Sequence, residues 1–113
     1  MHEYSIVQSM LDLCKKYSNG KAVKEVAVKI GKMSGIEPYF LKESFEVFKE
    51  NTVCHSAVMK MELIDITIEC QNCKKISKID NFNFYCPVCK SGNTKVLTGQ
   101  EMHIDYIVLK EDG

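Results

Sequence analysis

Two closely spaced pairs of cysteines form the strongest chemical pattern in the sequence. Cys70 and Cys73 make one Cys-x2-Cys pair, and Cys86 and Cys89 make the other after a spacer of twelve residues. Each pair can turn two thiolates toward one ion, and two pairs together complete the sulfur tetrahedron that Zn²⁺ accepts readily. The spacing therefore predicts a zinc ribbon whose ligands are these four thiolates.

The predicted zinc has a structural role. Four protein ligands leave no open coordination position, whereas a catalytic zinc usually keeps one for water or substrate. An insert of about 30 residues is too short to build its own hydrophobic core, so metal binding would supply its folding energy. The spacer is long enough for a short hairpin. Redox disulfides and a rubredoxin-like iron centre remain alternatives, because a four-thiolate set suits them as well.

The second residue gives a different candidate site. The α-amine of Met1, the backbone nitrogen of His2 and the His2 imidazole can close adjacent chelate rings in one plane, with the Glu3 amide or another group as fourth donor. A planar nitrogen set favours Ni(II) or Cu(II), whereas zinc has no electronic preference for a plane. Taken alone, however, a histidine near a terminus is more often a solvated residue, and Glu3 is more often a partner of the helix dipole.

Apolar periodicity predicts a first helix across residues 4–17. Its apolar residues recur at steps of three and four, which is the stripe of an amphipathic helix. They are Ile6, Val7, Met10, Leu11, Cys14 and Tyr17. Ser5 and Gln8 have the spacing of a capping box, so we expect the regular helix to begin near Ser5. This start would leave residues 1–3 as a free leading arm.

A second helix and three strands follow. Pro38 suits a first helical turn, and the residues after it place Leu41, Phe45 and Phe48 on one stripe. Apolar and polar residues alternate in three further segments, as they do in half-buried strands. The apolar positions are Val26, Val28 and Ile30 in the first strand, Met59, Met61 and Leu63 in the second, and Met102, Ile104, Tyr106 and Val108 in the third. The second run changes phase at Leu63 and Ile64, which predicts a bulge or a strand break there.

These elements predict an α+β fold. Two helices pack on a small mixed three-stranded sheet, and a four-cysteine zinc-ribbon domain is inserted before the last strand. We place the first domain at residues 1–66 plus 99–113 and the inserted domain at residues 67–98.

Composition narrows the classes of function. Fifteen Lys and Arg residues balance fifteen Asp and Glu residues, so no overall field attracts nucleic acid or anionic lipid. No segment approaches the roughly 20 apolar residues that cross a bilayer, and the N-terminus does not resemble a secretory signal. We therefore expect a cytoplasmic protein that uses neither membranes nor nucleic acid, with its thiols reduced or bound to metal.

Several other reactive residues have simpler interpretations. His55 and His103 are expected at the surface, Cys14 as a small core residue and Cys54 as a free thiol in a loop. The predicted insert also carries lysines near aromatic residues, which leaves a zinc-ribbon nucleic-acid or protein interaction module as the alternative function. These residues are Lys74, Lys75, Lys78, Lys90 and Lys95 with Phe82, Phe84 and Tyr85.

Across essentially its whole length the sequence resembles the HypA/HybF family of hydrogenase nickel-incorporation proteins. The resemblance is carried by "MHEYS" at the start, by "VKIGKMSGIEP" and "LKESFEVF", and by the CxxC and CPxC pairs in the expected order. It implies a nickel metallochaperone without enzymatic activity. The first domain would carry Ni(II), and the inserted domain would carry a structural zinc.

The resemblance also implies ligands and partners. The nickel ligands fall on Met1 through its amine, on His2 through its side chain and amide, and on Glu3 through its amide and as a neighbouring acid. The zinc ligands fall on the four cysteines of the two pairs. The implied partners are a GTPase that assists nickel delivery, the precursor of a [NiFe]-hydrogenase large subunit and, in some bacteria, a urease accessory protein. A homodimer is left open.

Overall fold

The structure is a computed structural model, and it describes residues 3–111. Within these described residues, two helices and six strands follow one another. They are α1 (Glu3–Ser18), β1 (Val23–Gly31), α2 (Pro38–Phe48), β2 (Val58–Ile64), β3 (Ile66–Cys70), β4 (Ile76–Ile79), β5 (Thr94–Thr98) and β6 (Met102–Leu109). Neither described helix is long and apolar enough to span a membrane.

The first sheet has the strand order β2-β1-β6. The central strand β1 runs parallel to β2 and antiparallel to β6, so the sheet is mixed. Its apolar residues and those of the two helices form one buried cluster, in which Leu41 and Phe45 of α2 are fully enclosed. Two helices over a small mixed three-stranded sheet, together with the four-cysteine insert, confirm the predicted α+β fold.

The buried face of α1 differs from the prediction at its last turn. Val7, Met10, Leu11 and Cys14 are buried as expected, but Tyr17 is 67% exposed and Ser18 takes the buried position. Four residues separate Cys14 from Ser18, which is the spacing that keeps two side chains on one helix face. The Ser18 hydroxyl donates a hydrogen bond to the carbonyl oxygen of Lys15, so its polar group is satisfied.

A β-bulge changes the alternation of β6. Ala27 of β1 pairs with Tyr106, and the next residue of β1 pairs with Ile104, so Asp105 is an extra residue in β6. An extra residue moves the following side chains to the opposite face. Ile107 and Leu109 therefore pack against the core. The prediction that Tyr106 and Val108 share the face of Met102 and Ile104 is wrong.

The second sheet has the strand order β4-β3-β5 and contains the residues around the cysteine pairs. The predicted break lies at Asp65, between β2 of one sheet and β3 of the other. The spacer between the cysteine pairs contains one strand, β4, which pairs with β3. The suggestion that the spacer folds into a hairpin of its own is therefore wrong. The buried apolar cluster of this sheet is small and consists of Ile66, Ile68 and Ile79.

Asp65 and two glycines hold the junction between the sheets. Asp65 pairs with Lys32 at 2.5 Å and with Lys78 at 3.6 Å, and the hydrogen bond to Lys32 lowers the pKa of the Asp65 carboxyl. The N–H of Gly31 donates to the carbonyl of Glu101 at 2.7 Å. A Cβ on Gly31 would overlap the backbone of Gly99. Residue 31 must therefore lack a side chain for the two sheets to meet as they do at this junction.

Gly31→Ala is expected to lower the free energy of unfolding by about 3 kcal/mol or more, because the new methyl would meet rigid backbone atoms. Gly35→Ala is the matched control, since it meets nothing within 4 Å and is strained only by its φ of +81°. We expect about 1 kcal/mol for the control. Urea unfolding of both variants would measure the difference. Equal unfolding midpoints would contradict the close approach at the junction.

Candidate metal centre

The structure brings the four predicted cysteines together. Their Sγ atoms all lie within 4.8 Å of one another. Cys70 and Cys89 are 3.5 Å apart at Sγ, and Cys73 and Cys86 are 3.7 Å apart. Zinc–sulfur bonds of about 2.3 Å in a tetrahedron separate the sulfurs by about 3.8 Å. The four-cysteine site therefore fits zinc, and the sulfurs are far from the spacing of about 2.05 Å in a disulfide.

Two turns of the same construction present the sulfurs. In the first, the N–H of Lys74 donates to the carbonyl oxygen of Cys70 at 2.9 Å, and in the second the N–H of Lys90 donates to that of Cys86 at 2.9 Å. The fifth residue of each turn is left-handed, with φ of 65° at Lys74 and 66° at Lys90. Each turn reverses the chain within five residues, so both cysteines of a pair face the same point.

Backbone N–H groups inside these turns point at the sulfurs. The N–H of Cys73 lies 3.4 Å from the Sγ of Cys70, and the N–H groups of Val88 and Cys89 lie 3.4 and 3.5 Å from that of Cys86. Hydrogen bonds to a thiolate favour its charged form. The N–H of Cys73 thus lowers the pKa of Cys70, and the N–H of Cys89 lowers the pKa of Cys86 to about 6. The chain itself prepares two of the sulfurs as metal ligands.

The Cys89 sulfur differs from these two. A backbone hydrogen bond from Ser91 lowers the pKa of Cys89, but its hydrogen bonds with Cys70 and Cys86 and its burial outweigh this effect and raise the pKa to about 11. Four thiolates within 4.8 Å of one another repel, and a bound divalent cation offsets that repulsion. The site is therefore organised to bind a metal through four deprotonated sulfurs.

Polar side chains join the two turns. The side-chain amide of Asn72 donates to the hydroxyl of Ser91 at 2.8 Å, and the side-chain amide of Asn93 donates to the side-chain Oδ1 of Asn72 at 3.4 Å. The backbone N–H of Gln71 donates to the carbonyl of Asn93 at 2.9 Å. The sequence patterns did not identify these residues. The turn-forming composition of "KSGN" is a signal for Ser91 and Asn93 but not for Gln71 and Asn72.

The N-terminal candidate site is described only from Glu3 onward, because Met1 and His2 lie outside the described residues. Glu3 belongs to α1, so the prediction that it lies in a free arm is wrong. Its carboxylate accepts a hydrogen bond at 3.3 Å from the backbone N–H of Glu37, the residue that caps α2. The helix therefore begins two residues before the predicted start at Ser5. The hydrogen bond from Glu37 also holds the first turn of α1 against the start of α2.

An aromatic contact reinforces that arrangement. The rings of Tyr4 and Phe48 meet edge to face, with their centroids 4.4 Å apart. Edge-to-face pairs of this kind contribute about 0.5–1.5 kcal/mol beyond the area that they bury. The first turn of α1, which directly follows residues 1 and 2, is therefore attached to α2 at two points.

The other reactive residues mostly lie where they were expected. His55 and His103 are exposed and Cys14 is buried. Cys54 lies in the turns before β2, as expected, but it is fully buried, which the sequence did not indicate. Within residues 3–111, no second group of three or more Cys, His, Asp or Glu side chains converges as a metal site. The five lysines named in the predicted insert are all exposed.

Comparison with known sequences gives a consistent result. Residues 1–109 match the family described as "Hydrogenase/urease nickel incorporation, metallochaperone, hypA". A relative from Aquifex aeolicus, named hydrogenase maturation factor HypA, is 43% identical, and the alignment covers 99% of this chain and 100% of the relative. A relative of the same name from Shewanella oneidensis is 40% identical over 98% of this chain and 97% of its own.

Solved structures agree with the sequence relatives. The solution structure of the Ni metallochaperone HypA from Helicobacter pylori aligns with a TM-score of 0.69 at 28% identity, over 99% of this chain and 100% of that one. A second solution structure of a HypA protein aligns with a TM-score of 0.72 at 29% identity, over 97% of each chain. With the family match spanning nearly every residue, this chain belongs to the HypA family of hydrogenase and urease nickel-incorporation metallochaperones.

Proposed function

We propose that the chain carries Ni(II) at its N-terminus. The ligands are the amine of Met1, the side chain and amide of His2, and the amide of Glu3, whose carboxylate is a neighbouring acid. The observation that carries this proposal is the family match over residues 1–109, which includes all three residues. The chain acts as a carrier and catalyses no reaction.

The proposed acceptor of the nickel is the precursor of a [NiFe]-hydrogenase large subunit, with a GTPase as delivery partner. The names of the relatives from Aquifex aeolicus and Shewanella oneidensis support a role in hydrogenase maturation. The family description also mentions urease, which supports a urease accessory protein as a further partner. A cytoplasmic location and a homodimer are compatible with this function and are part of the same hypothesis.

We assign the second metal, zinc, to Cys70, Cys73, Cys86 and Cys89. The sulfur separations of 3.5 and 3.7 Å and the backbone N–H groups around the sulfurs support this assignment. Residues 1–66 plus 99–113 would then form the nickel domain and residues 67–98 the zinc domain. Two separate sheets with separate apolar clusters support this division, although β3 already begins at Ile66.

A planar N-terminal site suits a delivery protein for two reasons. The faces of the plane stay open, so a ligand of the acceptor can attack along the axis and no free Ni²⁺ is released. Each coordinating amide also loses a proton, so the complex brings little net positive charge to the positive end of α1. The contacts of Glu3 and Tyr4 with α2 support a site that is carried by a fixed helix end.

Extending the chain by one glycine ahead of Met1 is expected to abolish stoichiometric nickel binding, because the terminal amine becomes an amide and the chelate rings lose their register. Equilibrium dialysis followed by metal analysis would measure nickel and zinc per chain. The same glycine added after Gly113 is the matched control and should bind one nickel. Equal nickel content in both proteins would refute the N-terminal site and leave the zinc assignment intact.

Nickel affinity is expected to fall as the pH falls from about 8 to 6. The imidazole of His2 and the terminal amine must both lose a proton to bind metal, and their ordinary pKa values are about 6.5 and 7.7–8.0. Below these values protons compete at both ligands, so the affinity should fall by at least about tenfold per pH unit. Competition titrations with a nickel chelator at several pH values would measure this. A flat profile would contradict ligation by these two groups.

A further inference from the structure

The first turn of α1 carries Glu3, one of the proposed nickel ligands, and contains no fully buried side chain. Tyr4 is 52% exposed, Ser5 is exposed and Ile6 is only partly buried against the core. The first fully buried residue of the helix is Val7. Helix ends fray, because their first N–H groups have no partner within the helix. The first turn therefore depends on contacts with the rest of the chain to stay folded.

Two such contacts join this turn to opposite ends of α2. The Glu3 carboxylate accepts the hydrogen bond from the N–H of Glu37, which caps the start of α2. The Tyr4 ring meets the ring of Phe48, the last residue of α2. The eleven residues of α2 span about 16 Å. Because the two partners lie at opposite ends of this length, they restrict both the position and the direction of the first turn.

Phe48 can hold the turn without being part of the core. It is 36% exposed and, among the described residues, belongs to neither buried apolar cluster. The ring centroids of Phe48 and Tyr4 lie 4.4 Å apart, with 78° between the ring planes. This geometry brings the positive edge of one ring to the negative face of the other. Loss of the Phe48 ring should therefore weaken the hold on Tyr4 more than it weakens the core.

We propose that Phe48 is a positioning residue for nickel binding, and this proposal rests on the N-terminal site proposed above. By holding the Tyr4 ring, Phe48 keeps the first turn of α1 folded, so the backbone amide of Glu3 is in place before the metal arrives. A frayed turn would have to be ordered on binding, and the conformational freedom lost in that step would weaken the affinity. Phe48 binds no metal itself and acts only through Tyr4.

Competition titrations with a nickel chelator would test the proposal on the full-length zinc-loaded protein with its native N-terminus. Phe48→Ala should bind one nickel with about 2- to 10-fold lower affinity, the range that corresponds to one edge-to-face pair. The zinc content should stay at one per chain. The visible absorption spectrum of the bound nickel should be unchanged, because the ligands are the same. A changed spectrum would show a different ligand set and overturn a role in positioning.

Phe40→Ala is the matched control. Phe40 lies in the same helix and is 58% exposed, and its ring pairs edge to face with that of Tyr39 at 5.5 Å between centroids. Both of these rings belong to α2, so the pair does not hold α1. Phe40→Ala should bind nickel with the wild-type affinity. Equal losses of affinity in Phe40→Ala and Phe48→Ala would reject the proposal, because the effect would then come from a general disturbance of α2.

Three further variants test whether Phe48 acts through Tyr4. Tyr4→Ala, alone and combined with Phe48→Ala, should lower the nickel affinity as much as Phe48→Ala does, because each variant removes the same ring contact. Phe48→Tyr keeps an aromatic ring and should restore the wild-type affinity. Additive losses in the double variant, or an unrescued affinity in Phe48→Tyr, would contradict the proposal. Tyr4→Ala breaks the contact from the other side, so the test does not depend on the folding of Phe48→Ala.

The outcomes separate the role of Phe48 from the nickel site on which it rests. If the protein extended by a glycine ahead of Met1 binds nickel as well as the wild type, the N-terminal site and the role of Phe48 are both wrong. If the extension abolishes binding but Phe48→Ala keeps the wild-type affinity, the site stands and only the role of Phe48 is rejected.

Discussion

A His2→Ala variant is expected to retain its zinc and its fold but to lose stoichiometric nickel binding. Removing the imidazole opens one chelate ring and leaves the metal with the amine and the amides. Substitutions that only disturb the surroundings of a metal ligand already cost about 10–100-fold in affinity. Loss of a ligand should cost about 100-fold or more. Metal analysis after dialysis against equimolar nickel would show the loss.

The chain supplies its own controls for that experiment. His55 and His103 are the other histidines, and both are exposed in the structure. His55→Ala and His103→Ala should bind one nickel with unchanged affinity. Nickel that persists in His2→Ala and disappears in one of these variants would move the site away from the N-terminus. If variants of the zinc-site cysteines lost nickel instead, the nickel would lie in the four-cysteine cluster. The proposed separation of the two metals would then be wrong.

Cys86→Ser is expected to release zinc and unfold the second sheet while the first sheet survives. The three buried isoleucines of the second sheet supply roughly 1.5–3 kcal/mol each. A structural zinc contributes about 10–16 kcal/mol in small zinc domains, so the metal stabilises this sheet more than the isoleucines do. Amide exchange should therefore become fast in β3, β4 and β5 but stay slow in β1, which lies in the separate core of the first sheet.

Nickel binding provides the internal control for the zinc variant. Because the proposed nickel ligands lie on the N-terminal residues, Cys86→Ser should still bind one nickel per chain. His2→Ala should show the opposite pattern, with zinc kept and nickel lost. A zinc-free protein whose second sheet keeps slow exchange would show that the isoleucine cluster is sufficient and that zinc is not needed for folding.

Local patterns in the sequence predicted much of the fold. The alternation of β1 and the apolar stripe of α2 depend on neighbouring residues, so periodicity identified both. The change of phase in the second run identified the break at Asp65, because each half had to bury a different set of side chains. The thiolate cluster was predictable for the same reason, since each pair of cysteines is brought together by one five-residue turn.

The features that sequence reasoning missed depend on residues far apart in the chain. The bulge at Asp105 is set by the register of β6 against β1, which no local pattern encodes. The helix α1 begins at Glu3, whose carboxylate accepts a hydrogen bond from the N–H of Glu37. This contact lies 34 residues away in the chain, so the capping box near Ser5 was the only local signal for the helix start.

The sequence by itself predicted two kinds of metal ligand, four sulfurs and an N-terminal nitrogen set, because ligand type and short spacing are local properties; the structure brings the four sulfurs together. Only the tertiary structure decided that Cys54 is buried in the same apolar cluster as Cys14 and that Cys14 lines a groove between α1 and β6. It also decided that Gly31 and Gly99 touch where one sheet passes into the other. These contacts join elements that are distant in the chain, and they exist only because packing the helices and strands into compact cores brings them together.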